Sequence, residues 1–411
     1  MLLRLTAMLA LAVVTASASE HKLANRAPLS TNSTNYLGTI LVGAAGQIAS
    51  FGFNGTAFLP KANISEPGKT ASWMVFKEPN FLYAVDENSN ATRLFHYDRV
   101  TGNLSQEIGS FNGSGGVVHL VFNADKSILV GASYGQGQID VWDASAADGS
   151  LKLLKQITLA GDHGPDLVSQ TQLRAHQAVL DPTGRYFVIN DLGGDRLHIL
   201  DTSNQSFAII GDVPVVPAGS GPRHGAFLTL DGGSKATHYI VLCEITSTLQ
   251  MFTVSYETGL DLNQVQTIST FGPGLGPANA TSARAGELVV SGGLGPAYVY
   301  VSNRETMNTT DSISRFALEA KSQDDTTPQL VWKDHIDTGG SGPRMFSFSK
   351  DDQQDVLYIG NMDGHIALQA HQRCGQDCEM GATPLAELPA VDFSDPDLAG
   401  QGYGPQFVME L

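Results

Sequence analysis

Arginine and histidine recur at one kind of position in this sequence, the first residues of short apolar runs. Two such runs follow Gly-Pro, in SGPRHGAF and SGPRMFSF, which places Arg223, His224 and Arg344 at their heads. His119 and His176 open two others. Arginine offers a forked pair of donors to carboxylates and phosphates and stays charged when buried, and imidazole titrates near neutral pH. These residue types predict a pocket that binds a small anion and moves a proton.

Two further charged residues follow the second apolar run of their segments, Glu244 in IVLCEIT and Arg304 in VYVSNRE. Three arginines that face one space repel each other unless an anion or Glu244 balances them. The alternative is structural, since polar residues at the start of a repeat also tie neighbouring units together by hydrogen bonds. For any single residue of this group, both interpretations stay open.

These positions recur because the segments themselves repeat. Residues 119–142 and 176–200 each contain an alternating apolar run, a polar turn, a second run, a Gly-containing turn and a third run. Three strands and two turns with a period of roughly fifty residues predict an all-β, seven-bladed β-propeller, because one blade cannot bury both of its faces alone. The predicted units begin near Tyr36, Ser72, His119, His176, Arg223, Gly286 and Pro343.

The predicted organisation is a signal peptide (1–18), a disordered leader (19–35) and one propeller (36–411). The C-terminal run GYGPQFVMEL reads as one strand, and we expect about 404–411 to close the first blade, because closure removes an open sheet edge. Residues 143–173 and 317–342 are predicted insertions; the first contains a predicted strand, LKLLKQITL, and a Gly/Asp/Pro loop able to form a lid or pocket rim.

Residues 1–18 have the pattern of an export signal, with Arg4, an apolar core and the small-residue site Ala16-Ser17-Ala18. The apolar run is too short for a membrane anchor, and we expect no membrane span. Nine glycosylation sequons add support for a secreted or extracellular glycoprotein, one that the cell wall could retain. Their asparagines are Asn32, Asn54, Asn63, Asn90, Asn103, Asn112, Asn204, Asn279 and Asn308.

Net charge and cysteine content bear on two classes of ligand, nucleic acid and metal ions. The net charge of −17 makes nucleic acid a poor ligand, since affinity for it comes mainly from neutralised phosphates. Cys374 and Cys378 are predicted to form a local disulfide, with free thiols or a metal pair as alternatives, of which the metal is the weakest. Cys243 reads as a buried apolar residue.

The motifs of several enzyme classes are missing from the sequence. It contains no Gly-x-Ser-x-Gly elbow, no HExxH and no EF-hand loop. The turn DLGGDR (191–196) lies between strands and opens no helix, so it predicts a hairpin, with Asp191 near the channel, and not a dinucleotide site. We therefore predict neither a metal nor a cofactor.

The segment HQAVLDPTGRYFVINDLGGDRLHIL resembles the seven-bladed lactonase family, which includes propeller-type 6-phosphogluconolactonase and fungal 3-carboxy-cis,cis-muconate cyclase. GPRHGAF, YVYVSNR and GPRMFSF resemble its other blade motifs, and the similarity covers roughly residues 36–371. The resemblance implies a fungal protein and a metal-free enzyme that interconverts a lactone and an open-chain acid. It also implies that Arg223 and Arg304 hold substrate carboxylates while His176 or Glu244 handles the proton.

The sequence thus predicts a secreted lactonase or cyclase that acts on a small carboxylate or lactone. The alternative is a cell-wall glycoprotein or adhesin with a vestigial pocket, able to bind extracellular matrix. A WD-type interaction hub is the weakest hypothesis, because Trp142-Asp143 is an isolated match. The predicted catalytic residues are His176, Glu244 and Arg223, and the predicted substrate-binding residues are Arg304, Arg344, His224 and His119.

Overall fold

The alternating runs fold into strands that form a ring of radially arranged sheets. The computed structural model describes residues 37–203, 205–230, 233–292, 297–321, 327–373, 379–381, 383–393 and 402–411. Within these residues there are six four-stranded antiparallel sheets and one three-stranded sheet. Each is built from strands that follow one another in the chain, apart from the sheet that holds the C-terminal strand and one sheet that omits a short intervening strand. The innermost strands of neighbouring sheets contact each other. The seven sheets are the blades of a β-propeller, as the repeats predicted.

Blades are numbered along the chain, and the first four take up its N-terminal half. Blade 1 contains β1 (Gly38–Phe53), β2 (Phe58–Thr70) and the C-terminal β29 (Pro405–Glu410); blade 2 contains β3 (Met74–Lys77), β4 (Phe81–Val85), β5 (Ala91–His96) and β6 (Gly109–Asn112). Blade 3 contains β7 (Val117–Phe122), β8 (Ile128–Ser133), β9 (Gln138–Asp143) and β10 (Lys152–Thr158); blade 4 contains β11 (Ala175–Leu180), β12 (Tyr186–Asp191), β13 (Arg196–Asp201) and β14 (Ala208–Pro214).

The remaining blades follow the same order from the centre outward. Blade 5 contains β15 (Pro222–Leu228), β16 (His238–Cys243), β17 (Thr248–Ser255) and β18 (Asp261–Ser269); blade 6 contains β19 (Arg284–Val290), β20 (Tyr298–Arg304), β21 (Ser312–Ala320) and β22 (Pro328–Asp337). Blade 7 contains β24 (Met345–Phe348), β25 (Val356–Gly360), β27 (Ile366–Gln372) and β28 (Ala386–Pro389). A short ladder joins β23 (Gly340–Ser341) to β26 (Asp363–Gly364), and a four-residue helix, α1, spans Ala390–Phe393.

Burial along the strands explains their sequence patterns. The second strand of a blade lies between two neighbouring blades, so both of its faces are covered, and β12, β16 and β20 are buried at every residue. The outermost strand β18 alternates between exposed and more buried residues, as expected where one face meets solvent. Continuous apolar runs therefore mark the second strands, while the outermost strands carry a weaker pattern.

The two described ends of the chain meet in blade 1. Strand β29 pairs antiparallel with β1, with Ile40 opposite Glu410 and Val42 opposite Val408. It also contacts β24 of blade 7. The last strand thus lies innermost in blade 1, and the ring of inner strands is continuous.

Each full repeat has four strands, and the prediction of three was wrong. The fourth strand is the outermost one, and two of these strands lie in the predicted insertions 143–173 and 317–342. They are β10 and β22, which pair with the third strands β9 and β21. Outer strands such as β10 (KLLKQIT) are mostly exposed and carry few core residues, so their apolar signal is weak.

A recurrent irregularity shapes the innermost strands near their first residues. The pairing of β7 skips Val118, that of β11 skips His176, that of β15 skips Arg223 and that of β29 skips Gln406. Strand β19 has the same shift at 286–287. Each shift is a β-bulge, in which an extra residue bends the strand and redirects a side chain.

Side chains of adjacent blades form the hydrophobic core. Between blades 4 and 5, Val188 and Leu197 pack with Tyr239, Cys243 and Phe252, and each of these side chains is fully buried. The prediction that Cys243 is a buried apolar residue is confirmed, and it forms no disulfide within the described part of the chain. Such inter-blade clusters hold neighbouring sheets together by burial of apolar surface.

Several predictions concern residues outside those that the structure describes. They are the signal peptide (1–18), the leader (19–35), the Cys374–Cys378 pair and the sequon residues Asn32 and Asn204. Among the helices of the described residues, none is long and apolar enough to cross a membrane.

Candidate functional site

The bulges direct side chains into the central channel. Val118, His176, Arg223 and Gln406 are the extra residues of four inner strands, and all four line one cavity. In a regular strand, successive side chains point to opposite faces, and in a blade these are the two faces that pack against adjacent blades. Adding one residue to the inner strand lets a side chain leave that pattern and face the axis.

His119 and His176 do not occupy equivalent positions, although the repeat alignment placed both at the start of a unit. His176 is a bulge residue, whereas His119 follows the bulge of its strand and is therefore the counterpart of His224. The His119 ring packs on Trp73 with ring centroids 4.2 Å apart. His119 is buried, but it is not one of the residues that line the cavity.

A second set of side chains reaches the channel mouth from the ends of the second strands. Glu244 directly follows β16, and Arg304 is the last residue of β20, at the corresponding place in the next blade. Tyr134 directly follows β8 at the same place in blade 3, and Glu87 lies in the turn between β4 and β5. The sequence analysis missed Tyr134 and Glu87; for Tyr134 the available signal was its alignment with Glu244 and Arg304.

Arg223, Glu244 and Arg304 form one hydrogen-bonded cluster. Glu244 Oε2 accepts a hydrogen bond from Arg223 Nε at 2.8 Å and another from Arg304 Nη2 at 3.0 Å. Arg223 Nη1 donates to the carbonyl oxygen of Gly286 at 2.6 Å, and Arg304 Nη2 also donates to that of Ala285 at 3.0 Å. The bulge in β19 thus supplies a backbone acceptor that fixes the first guanidinium group.

The charges of this cluster are mutually dependent. Burial alone would raise the pKa of Glu244, but Arg304 and Arg223 outweigh burial and hold that pKa below its usual value. Burial and then Arg304 lower the pKa of Arg223 to about 9, so it remains charged at neutral pH. Two guanidinium groups share one carboxylate, so the cluster carries a net positive charge and favours an anion.

His176 lies beside this cluster as a neutral base. Burial, and then the charge of Arg223, lower the pKa of His176 well below that of a free histidine. Its Nδ1 is buried and has no hydrogen-bond partner among the described residues. The His176 ring stands edge-on to the Tyr134 ring, with ring centroids 5.8 Å apart. The Arg174 guanidinium group stacks on the Tyr134 ring, 4.5 Å from its centroid. A neutral imidazole with an open nitrogen can accept a proton.

Arg344 reaches the cavity from blade 7. It donates to Glu87 Oε2 at 2.7 Å and to Gln406 Oε1 at 3.1 Å. Burial would raise the pKa of Glu87, but Arg344 lowers it below its usual value. A second arginine–carboxylate pair therefore lines the mouth opposite the first, and Arg344 is 16% exposed in its side chain.

His224 and Glu287 form a buried pair next to the cavity. His224 Nδ1 lies 2.7 Å from Glu287 Oε1, and the side chains are 2% and 4% exposed. The rings of His224 and His176 are 5.1 Å apart between centroids. Glu287 stands in the bulge of β19 and is not among the residues predicted from the sequence, although it directly follows Gly286, where that unit was predicted to begin.

The cavity between these side chains is narrow. Its free volume is about 10 Å³, which is room for about one water molecule, so a larger ligand would bind at the channel mouth and reach into the cavity with one group. A larger groove of about 750 Å³ runs between the outer strands of blades 5 and 6, past Phe271, Leu275 and Trp332. None of the residues lining that groove is titratable, so the chemistry points to the channel.

Neither a metal site nor a polar turn competes with this cluster for the role of active site. Within the described ranges, no group of three or more histidine, cysteine or acidic residues is placed to hold a metal ion. The DLGGDR turn is a hairpin between β12 and β13, as predicted. Asp191 accepts hydrogen bonds from the backbone amides of Arg174 and Gly194, so it holds a turn together and does not line the cavity.

Comparisons with known proteins agree with this architecture. The sequence profile of the family described as "Lactonase, 7-bladed beta-propeller" matches residues 34–373. A "Probable 6-phosphogluconolactonase" of Arthroderma benhamiae is 32% identical over 248 residues, and this alignment covers 57% of the chain and 58% of that relative. The chain therefore matches less than two thirds of the length of this relative.

Solved structures share the fold at lower sequence identity. The periplasmic gluconolactonase PpgL of Pseudomonas aeruginosa superposes with a TM-score of 0.72 at 21% identity, over 91% of this chain and 99% of that one. A candidate 6-phosphogluconolactonase of Bacteroides uniformis gives 0.71 at 21% identity, with the same coverage. At this level of identity, the likeness concerns the fold.

Proposed function

The chain belongs to the seven-bladed β-propeller lactonase family, and on that premise we propose that it interconverts a small anionic lactone and its open-chain acid at the channel mouth. The observation that carries this proposal is the Arg223–Glu244–Arg304 cluster beside a neutral His176. A positive, partly desolvated pocket next to a free base is what ring opening of an anionic ester requires.

The geometry divides the roles among these residues. Within the cluster Arg304 donates only through Nη2, so its other terminal nitrogen, Nη1, remains as a donor for a substrate oxygen. Glu244 is a poor base, because Oε2 already accepts two charged hydrogen bonds, whereas His176 Nδ1 has no partner among the described residues. We therefore assign Glu244 to holding the two arginines and the proton transfer to His176.

In the hydrolytic direction, a water molecule attacks the carbonyl carbon of the lactone and gives one proton to His176. The bond between that carbon and the ring oxygen breaks, and the ring oxygen takes the proton back from His176 to become the hydroxyl group of the product, while the new carboxyl group releases its remaining proton to solvent. The product is a hydroxy acid whose new carboxylate can pair with Arg223 and Arg304.

The cyclase reaction is the finer alternative within the same proposal. A carboxylate of 3-carboxy-cis,cis-muconate would add across a carbon–carbon double bond of the same molecule, and a proton donor would complete the lactone. The same arginines would hold the remaining carboxylates. Relatives named as gluconolactonases favour the hydrolytic direction as the first to be assayed.

A turnover screen tests the proposal. The protein is offered 6-phosphogluconolactone, gluconolactone, 3-carboxy-cis,cis-muconate and simple lactones, alongside Arg223→Ala and the control Arg185→Ala. Arg185 pairs with Asp201 on the surface, so its loss should leave turnover unchanged. We expect turnover of at least one anionic substrate, lost in Arg223→Ala. Absence of turnover in a folded protein, or full activity of Arg223→Ala, contradicts the proposal.

We also propose that the protein is secreted and glycosylated. All seven sequon asparagines within the described residues are exposed, as glycan attachment requires. Treatment of protein from the native host with an amide-cleaving glycosidase should reduce its mass. An unchanged mass would contradict glycosylation.

The second candidate function is that of a cell-wall or matrix-binding glycoprotein, and the exposed sequons favour it as well. Saturable binding to cell-wall glycan or extracellular-matrix protein, retained in Arg223→Ala, would support it. Lactone turnover together with no such binding would exclude it.

A further inference from the structure

The buried pair of His224 and Glu287 is not used by the mechanism proposed above. Glu287 Oε1 accepts a hydrogen bond from the backbone amide of Leu288 at 2.9 Å and lies 2.7 Å from His224 Nδ1. Glu287 Oε2 is buried and has no hydrogen-bond partner within the described chain. Because Glu287 occupies His224 Nδ1, the remaining ring nitrogen, Nε2, is the one available to the cavity that His224 lines.

The surroundings of the pair favour two neutral groups. Burial raises the pKa of Glu287 to about 8, even though Arg223 opposes this shift. Burial and then Arg223 lower the pKa of His224 well below its usual value. The charged and titratable groups around the pair, on its own two blades and on neighbouring blades, are Arg223, Arg304, Arg344, Glu244, His119 and His176.

Hydrogen-bond geometry locates the proton of the neutral carboxyl group. A hydroxyl at Oε1 can accept from the Leu288 amide and donate to His224 Nδ1 at the same time. It leaves Oε2 as an unpaired carbonyl oxygen, which costs less than an unpaired buried donor. With Nδ1 as the acceptor, a neutral imidazole must carry its hydrogen on Nε2.

We propose that Glu287 is a positioning residue whose neutral carboxyl group fixes His224 as the Nε2–H tautomer, so that the cavity contains a hydrogen-bond donor from His224 beside the acceptor His176. The catalytic role of the His224 donor rests on the proposed lactonase function. The tautomer itself depends only on this pair.

This arrangement would complete the site in a specific way. His176 takes the proton of the attacking water, while His224 Nε2–H hydrogen-bonds the lactone carbonyl oxygen as negative charge develops there. Removal of one such donor in other enzymes typically lowers kcat by about 10²- to 10³-fold. The two neighbouring imidazoles would thus have opposite hydrogen-bonding roles, set by different neighbours.

Ionisation of Glu287 reverses the role of His224. A carboxylate can only accept, so the hydrogen of His224 moves to Nδ1 and Nε2 becomes an acceptor facing the cavity. The donor is then lost above about pH 8, where Glu287 ionises. Between about pH 7 and pH 8.5 the site would therefore lose kcat with little change in KM, because Arg223, with a pKa of about 9, is still mostly charged and holds the substrate.

The direct test is nitrogen NMR of the protein with labelled histidine, with the His224 signals identified by their absence in His224→Gln. We expect the Nε2–H tautomer at pH 7 and a change to Nδ1–H centred near pH 8. The Nδ1–H tautomer at pH 7 overturns the inference. This result does not depend on turnover, so failure of the proposed function and failure of this inference can be distinguished.

The variant Glu287→Gln tests whether the change of the His224 tautomer depends on Glu287. In Glu287→Gln no group titrates at this position, so the His224 signals should stay constant from pH 6 to pH 9.5, and the alkaline loss of kcat should disappear. Glu257→Gln, an exposed change far from the channel, should behave as the wild type. Persistence of either transition in Glu287→Gln, or an alkaline rise in KM with constant kcat, overturns the proposal. If Glu287→Gln does not fold, the wild-type spectrum decides.

Discussion

At the scale of single residues, the site depends on opposite charges that cancel only in part. Arg223 and Arg304 would repel in the same small space, but Glu244 accepts from both through one oxygen. Removal of one partner from a buried charge cluster costs more than the cluster contributes to stability, because the others are left uncompensated. The excess positive charge makes the cluster an anion holder, and the Glu244 carboxylate keeps it assembled.

Glu244→Gln should therefore weaken substrate binding more than it slows the chemical step. The amide keeps the shape but loses the charge, so the two guanidinium groups separate. Loss of a charged hydrogen bond is typically worth about 1.5–3 kcal/mol, so we expect KM to rise roughly 10- to 100-fold while kcat changes less. Steady-state kinetics on the best lactone measure both. Loss of kcat at constant KM would indicate that Glu244 acts on the reacting atoms.

At the scale of elements, the bulges of the inner strands create the site. Four of them place one extra side chain each in the same cavity, and the bulge of β19 exposes the Gly286 carbonyl oxygen that holds Arg223. Gly286 is also closely packed, since a Cβ atom there would lie 2.5 Å from Ser302 Oγ and 2.9 Å from Arg304 Cδ. A glycine at this point lets the backbone approach the arginines.

Gly286→Ala should displace Arg304 and impair substrate binding without loss of the fold. Overpacking of this kind costs about 1–3 kcal/mol of stability. We expect a lower melting temperature and a higher KM for anionic lactones. The matched control is Gly276→Ala, because a Cβ atom at Gly276 would have nothing within 4 Å. Equal KM values in the two variants would show that Arg304 does not depend on this packing.

The sequence predicts the strands better than the β-bulges within them. The second strands are apolar throughout and mark each blade, and Glu244 and Arg304 align because both end such a strand. A bulge shifts the alignment by one residue without changing composition, so His119 and His176 look equivalent and are not. The run LKLLKQITL predicts the strand that the structure has as β10, but this outer strand is mostly exposed and carries too little apolar signal to be recognised as part of the repeat.

At the scale of the whole molecule, the closed ring keeps three imidazoles away from water. His119, His176 and His224 are buried, and burial is the leading cause that lowers the pKa of each. The unfolded chain binds protons at these residues below about pH 6.5, while the folded chain does not. Stability is therefore lost as the pH falls below 6.5 toward the lower folded pKa values, at up to about 1.4 kcal/mol per pH unit for each ring.

His119→Gln should make the acid sensitivity of folding shallower. One imidazole fewer titrates in the unfolded state, so the slope of unfolding free energy between pH 6.5 and pH 5 should fall by about 1.4 kcal/mol per pH unit. Urea unfolding at several pH values measures this slope. An unchanged slope in His119→Gln would show that His119 is already protonated in the folded protein.

A crystal structure of the protein with gluconate, an open-chain hydroxy acid, would locate the bound substrate directly. We expect its carboxylate at the channel mouth, with oxygen atoms about 3 Å from nitrogens of both Arg223 and Arg304 and its carbon chain directed toward His176. A carboxylate bound away from both arginines, or a site that stays empty at a concentration that inhibits turnover, would contradict this expectation.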